Sequence, residues 1–92
     1  MLLWLAGIFL SMQAFAQGIT VKGVVKDNTG MGVIGANILV KGTTNGTITD
    51  FDGNFTLEAK KGDVIVISFI GYKDQVLTPQ SGKNLRVVLE DD

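Results

Sequence analysis

The chain has 92 residues, no cysteine and no histidine, and a formal net charge of −1 from eight basic and nine acidic side chains. That length makes one domain at most, and with no disulfide available its stability must rest on its core. The lysines and the single arginine are scattered, which excludes the clustered basic footprint of a nucleic-acid binder.

The first sixteen residues, MLLWLAGIFLSMQAFA, are almost wholly apolar, carry no charged side chain and end in the small-x-small pattern Ala14-Phe15-Ala16. They predict a signal peptide cleaved between Ala16 and Gln17, leaving residues 17–92 as the mature domain. A membrane anchor is the weaker reading, because a span needs roughly 20 apolar residues. The basic start usual in a signal is missing, which fits a Met1 that lies inside a longer signal sequence.

From Val21 onward no helical period occurs. Val21, Gly23 and Val25 alternate with Lys22, Val24 and Lys26, a period-two strand. Asn28 to Gly32 supplies turn chemistry. Ala36, Ile38 and Val40 are expected on the inward face of the next strand, with Asn37, Leu39 and Lys41 outside. Asn45-Gly46 is the strongest hairpin signal in the sequence and leads into a brief polar strand, Thr47 to Thr49. After the turn Asp50 to Gly53, Phe55, Leu57 and Ala59 alternate with polar partners. Val64 to Ile70 is apolar except at Ser68, which predicts a strand covered on both faces. Val76 and Leu77 make a short strand stopped by Pro79, and Leu85, Val87 and Leu89 face inward in the last. About seven short strands predict an all-β, antiparallel, immunoglobulin-like sandwich. Its expected core is Val21, Val25, Ile38, Val40, Phe55, Leu57, Ile67, Leu85, Val87 and Leu89.

Few residues invite chemistry. Asp50-x-Asp52-Gly53-Asn54 groups oxygen ligands of the kind that bind calcium, but an EF-hand loop wants Gly sixth and Glu twelfth. Counting from Asp50, the glycine is fourth and the twelfth residue is Lys61. A tight turn whose Asp and Asn side chains bond nearby amides is the better reading, and no metal or cofactor is expected. Without histidine or cysteine the commonest general base and the strongest common nucleophile are absent, so no enzyme is expected. Phe55 and Phe69 occupy apolar strand positions and read as core, whereas Tyr72 after Gly71 reads as a packed corner. Phe51, set in a polar turn, is the one aromatic expected in solvent. The turn Asp50, Phe51, Asp52, Gly53 and Asn54 is therefore the candidate partner-contact site.

Gly23-x-Val25-x-Asp27, Gly35-Ala36-Asn37-Ile38, Lys41-Gly42-Thr43, Gly46-x-x-Thr49-Asp50-x-Asp52-Gly53-x-Phe55 and the strand Ile65 to Tyr72 together resemble a known family. It is the carboxypeptidase-regulatory-like, transthyretin-like β-sandwich that forms the N-terminal extension of SusC/RagA-type TonB-linked outer-membrane transporters. The resemblance covers nearly all of the chain after residue 17. It implies a non-catalytic domain on the periplasmic face of the outer membrane, in a transporter of oligosaccharides or peptides. Its partners would be the rest of the transporter and periplasmic coupling or assembly proteins. Outer-membrane association would come through a barrel that is missing here, so the resemblance implies a fragment lacking plug and barrel. The residues leave two alternatives open: a free-standing exported module that binds a glycan or a protein, and an accessory domain of an exported peptidase.

Overall fold

The structure, a computed structural model, describes residues 18–92, so the expected signal peptide and its cleavage point at Ala16 and Gln17 lie outside the described residues. Among the described residues seven strands occur: β1 Gly18–Lys26, β2 Asn37–Val40, β3 Gly46–Ile48, β4 Asn54–Lys60, β5 Ile65–Ser68, β6 Gln75–Leu77 and β7 Leu85–Val88. They form a three-stranded sheet in the order β4-β1-β7 and a four-stranded sheet in the order β3-β2-β5-β6.

Period-two sequence becomes a buried face directly. Along β4, Phe55, Leu57 and Ala59 are buried between exposed neighbours. Along β1, Ile19, Val21 and Val25 are buried. Gly23 shares their parity but carries no side chain, because the space belongs to its register partner Phe55. A Cβ at Gly23 would stand 2.8 Å from the Phe55 ring and 2.9 Å from the Leu85 Cβ. The opposite sheet contributes Ile38, Val40, Ile65 and Ile67, and Val87 and Leu89 complete the layer between the sheets. Each such side chain taken out of water contributes about 1.5–3 kcal/mol. Two residues expected in the core are only half-buried, the first being Leu85 at the start of the edge strand β7. Phe69 is likewise packed against the core and half-buried.

Two expectations are corrected. The sandwich is not antiparallel throughout, for β1 and β7 pair in parallel, Gly23 with Leu85 through Lys26 with Val88. Alternation fixes which face a strand buries and says nothing about its direction. A parallel partner needs only a long crossover, supplied here by everything between the two strands. Nor is the segment from Val64 to Ile70 covered on both faces. It is a strand only over Ile65–Ser68, with Val66 and Ser68 half-buried on the outer face, and Ile70 is 90% exposed. Part of the outer face of this sheet is apolar all the same. Leu39, Ile48 and Val66 border a shallow depression of about 540 Å³, and Val76 lies beside Val66 in the register.

Both seams between the sheets are stitched by side chains. Asn45 Nδ2 donates to the Glu58 carbonyl at 2.8 Å where β3 meets β4. On the other side Gln75 Nε2 donates to the Val88 carbonyl at 2.6 Å, and Lys73 N–H donates to the Glu90 carbonyl at 2.8 Å. Edge strands with unpaired backbone invite strand addition, and these bonds take up one carbonyl on each edge of the three-stranded sheet, Glu58 of β4 and Val88 of β7.

Candidate functional site

The turn from Thr49 to Asn54 is built from backbone outward. Asp50 Oδ1 accepts from the Asp52 and Asn54 amides, both at 2.9 Å. The Gly53 N–H donates to the Asp50 carbonyl at 2.9 Å, and Asp50 N–H donates to the Asn54 carbonyl at 2.9 Å. This is the aspartate-capped turn the sequence implies. Thr49 anchors it from behind. Its buried hydroxyl accepts from Ala36 N–H at 2.8 Å and donates to the Val33 carbonyl at 2.5 Å, so the strand entry is tied to the loop preceding β2. A buried donor left without such a partner costs about 1–3 kcal/mol.

Gly53 makes the third tie. It is buried at φ +85°, and its carbonyl accepts from Val25 N–H at 2.8 Å. Val33 N–H in turn donates to the Val25 carbonyl at 2.9 Å. Gly32 lies against the Asp52 carbonyl so closely that a Cβ there has no room. Thus Thr49, Asp50 and Gly53 are committed to holding two loops and β1 together. Phe51, 82% exposed, and the Asp52 side chain are what this turn offers to solvent.

A similar turn stands beside it. Asp27 Oδ1 accepts from the Thr29 hydroxyl at 2.6 Å, from Thr29 N–H at 2.8 Å and from Met31 N–H at 3.0 Å. The Thr29 hydroxyl, then its amide, hold the Asp27 carboxyl below the usual carboxylate range.

The sequence indicated one of the exposed apolar side chains here and missed three. Met31, Ile34 and Ile70 are more than half exposed, like Phe51. Each stands beside a glycine in a turn, a placement that already sets an apolar residue outside the strands. Asp50 and Asp52 do not converge on a common point with a third carboxylate, and among the described residues no group of three metal-ligating side chains forms. With Asp50 Oδ1 occupied by two amides, calcium titration is expected to leave the melting temperature unmoved. A rise that Asp52→Asn abolishes would overturn that expectation.

Paired sheets closed by a first-to-last parallel contact, with loops pinned at one end, define a β-sandwich domain. The chain belongs to the CarboxypepD_reg-like domain family, whose model matches residues 21–92. It is 65% identical over 92 residues to the N-terminal region of the TonB-dependent receptor SusC of Bacteroides thetaiotaomicron, covering 100% of this chain and 9% of that protein. Two TonB-dependent receptors of Formosa agariphila are also similar. P26 is 45% identical over 58 residues, 63% of this chain and 6% of the receptor. P39 is 38% identical over 71 residues, 76% of this chain and 7% of the receptor. The chain thus spans less than a tenth of the length of these relatives, and their names are those of receptors.

Among solved structures, the fold matches one chain of a type II cohesin–X-dockerin complex of Acetivibrio cellulolyticus, an N-terminal interface mutant. The TM-score is 0.65 at 18% identity, over 79% of this chain and 58% of that one. The C-terminal interface mutant of the complex gives 0.63 at 18%, over 77% and 56%. At that identity the likeness concerns the fold alone.

Proposed function

We propose that this chain is the non-catalytic N-terminal extension of a TonB-dependent outer-membrane transporter of oligosaccharides or peptides. It works in the periplasm, after export on a signal peptide removed before Gln17. The observation that carries this reading is the 65% identity to SusC over the whole chain. The structure supports it in a second way, since the polar turn residues with the most chemical potential, Thr49 and Asp50, are spent on backbone partners. What remains outside is contact surface. The domain would act through protein partners, either the rest of the transporter or periplasmic coupling and assembly proteins.

Deleting residues 19–90 from the full-length parent protein is expected to impair growth on the polymeric nutrient that the transporter serves. The barrel should still reach the outer membrane, since its insertion uses its own strands. Wild-type growth and import at normal transporter levels would count against the coupling role. Loss of the barrel from the membrane would replace coupling by assembly as the domain's task.

A further inference from the structure

Four large apolar side chains stand in loops with most of their surface in water: Met31 at 67%, Ile34 at 57%, Phe51 at 82% and Ile70 at 90% exposed. Strand direction places all four at one end of the sandwich. β1 and β7 run toward that end, β2 and β4 start from it, and β3 and β5 lead into it. Contacts agree. Gly32 abuts Asp52, and a Cβ at Gly35 would lie 4.0 Å from the Phe69 ring, so the three loops adjoin. The loops of the opposite end, 41–45, 61–64 and 78–84, hold none of the large exposed apolar residues. Single exposed apolar residues are ordinary on a surface. Four confined to one end, with none at the other, are a patch.

Charge divides the same way. Loops 27–36, 49–53, 69–74 and 89–92 carry seven of the nine carboxylates and one lysine, Lys73. The opposite loops carry Lys41, Lys61 and Lys83 against Asp63 alone. The chain also leaves the sandwich at the acidic, apolar end. Asp92 N–H donates to the Gly71 carbonyl at 3.2 Å, and Asn28 Nδ2 donates to Asp91 at 3.3 Å.

We infer that this end docks onto the receptor's own polypeptide beyond residue 92, on a surface apolar at its centre and rich in lysine or arginine at its rim. The inference rests on the receptor reading above, in which more than nine-tenths of a SusC-like protein lies outside this region. Anything joined at residue 92 starts at the end of the sandwich that carries Met31, Ile34, Phe51 and Ile70, next to Gly71 and Asn28. Such tethering supplies an effective concentration on the order of millimolar, so a small patch suffices where a free partner would need a larger one. The carboxylates select a basic rim and repel an acidic one.

The test uses the full-length receptor in intact cells, with a photo-reactive phenylalanine analogue at Phe51 or, as control, at Gln80 on the opposite end. Irradiation is expected to join Phe51 to residues of the same polypeptide beyond 92, with several-fold lower yield from Gln80. Asp52→Lys combined with Asp74→Lys should cut the Phe51 yield several-fold while the melting temperature stays unchanged. Cross-links from Phe51 to a separate protein, cross-links to nothing, or equal yields from both positions would overturn the docking. A natural gene product whose intact mass ends near residue 92 would fail the receptor reading instead, and is told apart by that mass.

Discussion

Gly53→Ala is expected to destabilise this domain more than an alanine at any of its open turn glycines. Gly53 and Gly62 share nearly the same backbone, φ +85° and +91°, so an L side chain meets the same left-handed penalty at both, about 1–2 kcal/mol. They differ in surroundings. A Cβ at Gly62 meets nothing within 4 Å, whereas at Gly53 it strikes the Val25 carbonyl and stands 2.9 Å from Val33 N. Those two atoms are the acceptor and donor of a single bond that ties β1 to the loop before β2, so relief of the clash disrupts it. Overpacking of this kind adds about 1–3 kcal/mol. A domain of this size has only about 4–11 kcal/mol in all. Thermal melts followed by circular dichroism should show Gly53→Ala falling well below Gly62→Ala, and equal shifts in the two variants would refute the steric account.

Phe55→Ala should cost about 3–5 kcal/mol, the range for emptying a buried aromatic site. Phe55 is 5% exposed, and its ring fills the space above Gly23, which has no side chain to move into the void. Neighbouring Leu85 is held in the β7 ladder, so collapse onto the cavity is limited. For a domain this small, each kcal/mol lowers the melting temperature by roughly 4–8 °C. Chemical denaturation should therefore lose a large part of its midpoint, and a loss below about 1 kcal/mol would show that the ring does not carry the core.

Much of this fold was legible because burial in a sandwich has a period of two. Phe55, Leu57 and Ala59 declare their face within the strand itself, and Asn45-Gly46 and Asp50-x-Asp52-Gly53 declare their turns by local chemistry. Direction was not legible. Val87 carries the same inward signal whether β7 runs with β1 or against it, and only the path through the second sheet decides. Ile70 misled for a related reason: continuous apolar sequence cannot tell a strand covered on both faces from one that ends early and leaves a residue outside. The candidate turn was readable in Phe51, whose polar neighbours mark it as exposed. Its companions Met31, Ile34 and Ile70 come from three separate turns, and only tertiary structure brings those together.

The parallel pairing of the first strand with the last also governs when the domain can fold. Until β7 arrives, β1 has only β4 beside it in its own sheet, which is then a two-stranded ribbon with one side of β1 unpaired. Leu89, fully buried, donates its N–H to the Lys26 carbonyl at 2.8 Å and seals the closure from the far end of the sequence. Contacts of such long range make folding slow. On the export reading proposed above, a chain that crosses a membrane with its N-terminus leading can complete this sheet only once its last strand has emerged.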